Sequence, residues 1–219
     1  MIFRDRRDAG ERLAARLLFL KGEPDLIVLG IPRGGVVVAA EIARALNAPL
    51  DVFIAHKIGA PFNPELAIGA LTESGEVWFD RDLIDRLQSS PDEIKVAVDA
   101  QRLEISGRRA LFRKGLLPLD VAGKKVVLVD DGVATGSTVL ISLRALRKQS
   151  SARLILAIPV GPADTVAMLA RECDEAVVLS TPEPFWAVGR FYESFDQTSD
   201  KEVIALLNTA RRSQATPPR

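Results

Sequence analysis

The 219-residue sequence predicts an α/β fold, with a parallel sheet flanked by helices. Three observations carry this reading. Short, continuous apolar runs at 26–30, 126–129 and 153–158 suit strands covered on both faces, since half-exposed strands alternate. Segments with helical apolar spacing follow several of these runs. The turns joining strand to helix are rich in small residues, as βα units require.

Taken in order, the first strand is expected at 26–30 and leads through Ile31-Pro32-Arg33-Gly34-Gly35 into a helix at 36–46. A second strand is expected at 51–56, ending at His56 beside Lys57. Residues 59–113 hold a Gly/Pro-bearing stretch, a short hairpin at about 69–79 and a long polar helix. Ser90-Pro91-Asp92-Glu93 reads as a capping box with proline at the first helical position, so that helix starts there and runs toward Arg113. Its Arg102, Arg108, Arg109 and Arg113 read as a solvated face, with approach of one or two of them to an anionic ligand as the alternative. Further strands are expected at 125–129, 153–158 and 174–179. Ser199 caps a final amphipathic helix carrying Val203, Leu206 and Leu207.

The strand at 125–129 runs into Asp130-Asp131-Gly132-Val133-Ala134-Thr135-Gly136-Ser137-Thr138. A phosphate needs several backbone N–H donors converging on it without side-chain obstruction, and a helix start supplies them with the favourable end of its dipole. Gly132 and Gly136 allow the approach, and Thr135, Ser137 and Thr138 add hydroxyls. Two carboxylates beside a phosphate would repel it unless they faced another part of the ligand. The vicinal hydroxyls of a ribose fit, because carboxylates accept strong charge-assisted hydrogen bonds. The run thus predicts a ribose phosphate site. No lysine follows Gly136 as a Walker loop requires, and the sequence has neither Gly-x-Gly-x-x-Gly nor Gly-x-Ser-x-Gly.

These residues closely resemble the signature of the type I phosphoribosyltransferases: a hydrophobic strand, an acidic pair and a loop ending in Thr-Gly-x-Thr. The resemblance implies a Rossmann-like core with a small hood and a flexible loop, the latter falling within 59–113. It implies that Asp130 and Asp131 hold the ribose hydroxyls of phosphoribosyl pyrophosphate (PRPP) and that 133–138 hold its 5-phosphate. By the same resemblance Pro32, Arg33, Gly34 and Gly35 form the pyrophosphate loop, with a non-proline cis peptide near Arg33. Lys57 stands where many members place a lysine that reaches the pyrophosphate, although a solvated strand-end lysine is the plainer reading. Mg²⁺ is the implied cofactor, held mainly through PRPP with Asp130 and Asp131 as the protein groups within its reach. The implied activity is transfer of the phosphoribosyl group to a nitrogenous small-molecule acceptor, by a homodimer. A sensor of PRPP or a nucleotide, without catalysis, is the alternative.

Residues 181–195 concentrate aromatics in a chain that is only 5% aromatic. Phe185, Trp186 and Val188 are the candidate acceptor pocket, since a flat heteroaromatic would stack there. The same rings could instead anchor the hood to the core, and both can hold. Ala134 occupies the place where hypoxanthine and guanine enzymes carry an acid, so the loop is more similar to adenine and orotate phosphoribosyltransferases. Over nearly its whole length the chain resembles bacterial phosphoribosyltransferases of unassigned acceptor.

One domain is expected over 1–213, with a core at about 14–179, a hood from about 180–213 plus the N-terminal segment, and a disordered tail at 214–219. Its 29 basic and 29 acidic residues leave no net charge to attract nucleic acid or a membrane surface. The lone Cys173 has no internal partner and no metal spacing, the charged N-terminus lacks a signal-peptide core, and no apolar run spans a bilayer. A cytoplasmic protein is expected.

Overall fold

Five strands lie side by side because each is apolar on both faces. In the computed structural model, which describes residues 1–114 and 116–215, β1 (Leu26–Gly30), β2 (Leu50–Val52), β6 (Lys125–Val129), β7 (Arg153–Val160) and β8 (Glu175–Ser180) form a parallel sheet in the order β2-β1-β6-β7-β8. Leu26 and Val28 of β1 join one core while Ile27 and Leu29 join the other, and β6 and β7 alternate likewise. The first core is closed by α1 (Arg6–Arg16), α2 (Gly34–Leu46) and α7 (Asp200–Ala215), through Leu13, Ile42, Val203 and Leu207 among others. The second is closed by α5 (Ser137–Lys148) and α6 (Ala163–Ala170), through Val139, Leu143, Leu146 and Leu169. The two-sided apolar runs read from the sequence are therefore a doubly covered sheet.

This order sets the position of the site. From β1 the chain passes through α2 to β2 on one side, and from β6 it passes through α5 to β7 on the other. The carboxyl ends of β1 and β6 thus flank a topological switch point, where open α/β sheets form their ligand crevice. Ile31 N–H donates to the Val129 carbonyl at 2.9 Å and keeps the two strand ends together as they leave the sheet.

The expected strand at 51–56 is two strands in two sheets. β2 ends at Val52, and the Phe53 N–H donates to the Gly30 carbonyl at 3.0 Å, closing the parallel ladder. The chain then enters an antiparallel sheet of β3 (Ala55–Ala60), β4 (Asn63–Thr72) and β5 (Val77–Phe79). The hairpin expected at 69–79 is the β4–β5 pair, but β3 was not foreseen. Lys57 consequently lies inside β3 opposite Ala70, not at the end of a parallel strand.

After α3 (Arg81–Leu87), α4 (Pro91–Arg113) begins with the expected capping box: Ser90 N–H donates to Glu93 Oε2 at 2.8 Å and Glu93 N–H to Ser90 Oγ at 3.3 Å. Val98, Ile105 and Phe112, each seven residues apart, face the core. Arg102, Arg108 and Arg109 are exposed, as a solvated face requires.

Arg113 departs from that face, because its side chain is only 2% exposed. It ion-pairs with Glu73 through Nε and Nη2, donates from Nη1 to Asp51 Oδ2 at 2.6 Å, and donates from Nη2 to the Val52 carbonyl at 2.8 Å. Asp51 also accepts from Leu119 N–H at 3.1 Å. One guanidinium thus joins edge strand β2, the β4–β5 turn and the end of α4. Helical spacing alone did not reveal this, since its acidic partners lie 40 and 62 residues away.

α7 runs through Ala215, so the first two residues of the expected disordered tail are helical; 216–219 lie outside the described residues. Among the described residues no helix is long and apolar enough to cross a membrane.

Removing one partner of a buried charge cluster leaves the others uncompensated, which costs about 3–5 kcal/mol. Arg113→Ala is expected to lower stability by that order in urea unfolding. Arg102→Ala, which removes only an exposed pair with Asp99, should leave the transition in place.

Candidate active site at the switch point

Two helices start at the carboxyl ends of the adjacent strands β1 and β6, and neither has a side-chain cap. α2 follows Arg33 and α5 follows Gly136, with no side-chain hydrogen bond to either first turn. By contrast α1, α3 and α4 are capped by Asp5, Asp80 and Ser90, while α6, after β7, also lacks a side-chain cap. The first amides of any helix lack intrahelical acceptors. At α2 and α5 these donors, with the positive dipole ends, have no side-chain acceptor, an arrangement able to receive an anion.

The two loops are shaped by their glycines. The peptide joining Pro32 and Arg33 is cis, as expected near Arg33. Gly132 and Gly136 have φ of 145° and 73°, values that L side chains rarely adopt. Thr135 Oγ1 and Ser137 Oγ lie 3.2 Å apart at the mouth of α5, beside exposed Thr138 and Ala134. The Ala134 carbonyl accepts from Thr165 Oγ1 at 3.0 Å, which holds the loop's outer edge. Val133 is turned inward: its side chain is buried and its N–H donates to the Val160 carbonyl at 2.9 Å. Its amide is thereby already engaged, so Val133 shapes the loop and the donors come from the residues after it.

Asp130 and Asp131 sit between these loops, pressed against the start of α2. A Cβ added at Gly34 would lie 1.9 Å from Asp131 Oδ2, and one at Gly35 would lie 3.0 Å from Asp130 Oδ1 and 2.7 Å from the Val129 carbonyl. At Gly35 the backbone itself leaves no room for a side chain, and at Gly34 one would displace the Asp131 carboxylate and the Arg6 side chain, a packing reason for Gly34-Gly35 that complements the phosphate-loop expectation. Burial, and then the neighbouring Asp131 carboxylate, push the Asp130 carboxyl well above the usual carboxylate range.

Two residues not singled out from the sequence complete this centre. Arg6 Nε donates to Asp131 Oδ2 at 2.7 Å, and Tyr192 OH donates to the Asp131 carbonyl at 2.6 Å. Burial and the acidic neighbours raise the Tyr192 pKa, so the phenol keeps its proton and remains a donor. No local signal could have found Arg6, which lies 125 residues from its partner. Tyr192 is the chain's single tyrosine, and that was the available hint.

The aromatic segment packs on itself and on the N-terminus. Phe3 pairs with it through Phe3 N–H to Phe191 carbonyl and Glu193 N–H to Phe3 carbonyl, both at 2.8 Å. Phe185 stacks on Phe191 at 5.2 Å, and Tyr192 lies against Phe3 and Phe195 at 5.3 and 4.9 Å. The anchoring reading of these rings holds for Phe185. Val188 reaches the phosphate loop, its Cγ1 lying 2.5 Å from where a Gly132 Cβ would be. Trp186 is 80% exposed. Lys57 stands apart in the antiparallel sheet, while Arg33 is half-buried at the start of α2. Cys173 is buried, its thiol near the Leu169 carbonyl at 3.6 Å. Among the described residues no three His, Cys, Asp or Glu side chains are grouped to hold a metal.

Comparison with known proteins agrees with this geometry. The family model described as "Phosphoribosyl transferase domain" matches residues 4–190. A Mycobacterium tuberculosis (strain H37Rv) protein named "Putative phosphoribosyl transferase" is 43% identical over 214 residues, covering 98% of this chain and 48% of its own length. The chain thus spans about half the length of the curated relatives it matches. The crystal structure of TT1426 from Thermus thermophilus superposes with a TM-score of 0.88 at 40% identity, over 94% of this chain and 98% of that one. The match over most of the chain, on a parallel sheet whose switch point carries the acidic pair and two open helix starts, shows that this protein belongs to the phosphoribosyltransferase family.

Proposed function

We propose that the protein transfers a phosphoribosyl group from PRPP to a nitrogenous acceptor, a nucleobase or related amine, with release of pyrophosphate. The observation that carries this reading is the acidic pair lying between two uncapped helix starts. The amides and hydroxyls of Ala134, Thr135, Gly136, Ser137 and Thr138 receive the 5-phosphate. Pro32, Arg33, Gly34 and Gly35 receive the pyrophosphate, and Asp130 and Asp131 accept from the ribose hydroxyls.

As the glycosidic bond to pyrophosphate breaks, negative charge gathers on the leaving group and positive charge on the ribose ring. Arg33 and the dipole end of α2 stabilise the first, and the two carboxylates favour the second. Lys57, from its place in β3, is a weaker candidate for the same anion. Mg²⁺ fits a site with only two neighbouring carboxylates if it is bound mainly through the donor's own oxygens. There it would neutralise the pyrophosphate. Val188, which meets the loop at Gly132, and Phe185 and exposed Trp186 of the same segment are the candidates to receive an aromatic acceptor. A homodimer and a cytoplasmic location belong to the same reading, as does a hood made of the aromatic segment and the N-terminus.

The test is pyrophosphate release from PRPP and Mg²⁺ against purines, pyrimidines, nicotinate and simple amines. Release with one acceptor names the substrate. Tight PRPP binding without release from any acceptor would replace transfer with sensing. Replacing both Asp130 and Asp131 by alanine should abolish release while far-UV circular dichroism stays unchanged, and retained turnover would refute their assignment.

Asp130 also predicts a stability cost in the ligand-free protein. A carboxyl raised on folding gives stability that is full below its unfolded pKa and lost as pH rises toward the folded value. Asp130→Asn keeps the acceptor for the Asp131 N–H, now at 2.9 Å, without the ionisation. Its melting temperature should exceed the parent's by a margin that widens as pH rises above the ordinary carboxylate range. A margin constant with pH would contradict the raised carboxyl.

A further inference from the structure

We propose that Arg6 is a positioning residue that aims Asp131 at the donor's ribose hydroxyls, an inference that rests on the phosphoribosyl reading above. Arg6 is the first residue of α1, whose start is fixed by Asp5 accepting from Asp8 N–H at 2.8 Å. Its guanidinium is held from three directions. Nε donates to Asp131 Oδ2 at 2.7 Å, Nη1 donates to the Asp196 carbonyl at 2.7 Å, and the plane lies 3.9 Å from the centroid of the Phe195 ring. The Arg6 and Asp131 side chains are only 12% and 17% exposed, so the pair is not a solvated surface contact.

Asp131 is thereby gripped at both ends, by Arg6 on its carboxylate and by Tyr192 on its carbonyl. Gly34 closes the third side, since any Cβ there would fall 1.9 Å from Oδ2 and 2.7 Å from Arg6 Nε. A carboxylate has about four acceptor sites, so the bond from Arg6 leaves capacity for a hydroxyl. The paired cation also balances one of two adjacent negative charges that a phosphorylated ligand would otherwise meet. Arg6 touches no ligand in this scheme and acts through Asp131. The contact ties ribose recognition to the segment at Tyr192, Phe195 and Asp196.

Calorimetry with Mg²⁺ and three probes, PRPP, ribose 5-phosphate and pyrophosphate, tests the assignment on the parent, Arg6→Ala and Arg6→Lys proteins. Arg6→Ala should weaken the two ribose ligands about 10- to 100-fold, the worth of a hydrogen bond to a charged group. Pyrophosphate, held by the 32–35 loop, should bind as before. Arg6→Lys should recover part of the loss, because an ammonium can reach Asp131 but cannot fork to Asp196 or stack flat on Phe195. Unchanged or tighter ribose binding in Arg6→Ala would overturn the proposal, the latter by making Arg6 a competitor of the sugar. An equal loss for pyrophosphate would overturn it too, as the mark of general damage. Should Arg6→Ala fail to fold, Arg6→Gln, which keeps a donor without the charge, carries the same comparison. Failure of the parent to bind any of the three would refute the phosphoribosyl reading itself.

Discussion

Two carboxylates can lie against the start of a helix only if that helix presents no side chains where they meet. Gly34 and Gly35 meet this constraint, and the geometry of the site depends on it. A Cβ at Gly35 would push α2 off the end of β6, and one at Gly34 would displace the Asp131 carboxylate and its Arg6 partner. The pyrophosphate-loop glycines and the acidic pair are therefore one packing unit drawn from two βα turns. Parallel pairing of β1 with β6, in register from Leu26 opposite Lys125 to Gly30 opposite Val129, brings the two turns to the same height.

A second constraint acts at the sheet edge. The antiparallel sheet and α4 form a long insertion between β2 and β6, and such an insertion needs its own attachment. Ile58, Ile68 and Leu71 give it apolar contact with the core. Arg113 gives it direction, because a planar fork satisfied by Glu73, Asp51 and the Val52 carbonyl tolerates little rotation. A buried ion cluster of this kind is weak evidence for net stability compared with an apolar replacement. Its role here is orientation: it decides where the insertion stands relative to edge strand β2.

Much of this was legible in the sequence, for identifiable reasons. The strands of the parallel sheet announced themselves because burial on two faces leaves an uninterrupted apolar run, as in Val126, Val127, Leu128 and Val129. The start of α4 was legible because a capping box is local, contained within Ser90 to Glu93. The acidic pair and both loops were legible because their chemistry is contiguous. What escaped was held by partners distant in sequence. Asp51 looked like strand and proved to be strand, yet nothing nearby said that Arg113 would capture it. Lys57 was misplaced because β2 and β3 follow each other with only Phe53 and Ile54 between, and no turn residue marks the change of sheet. Arg6 and Tyr192 reach Asp131 from opposite ends of the chain.

The distribution of charge bears on how a chain with equal numbers of acidic and basic residues could present the polyanion site proposed above. Long-range attraction is absent, so selection of a phosphorylated ligand must be local. Helix dipoles suit that task, because the field of a helix start falls off within its first turn. Two carboxylates placed between two such starts would cancel the effect if both were fully charged and unpaired. Within this pair, burial and the neighbouring carboxylate raise the Asp130 carboxyl above the usual carboxylate range, and Asp131 is paired with Arg6. In the phosphoribosyl reading proposed above, the loops offer their amides to phosphate while the acids between them accept from hydroxyls. A ligand that offered both groups at the spacing of one sugar would use the whole of that proposed site, a combination that does not depend on net charge.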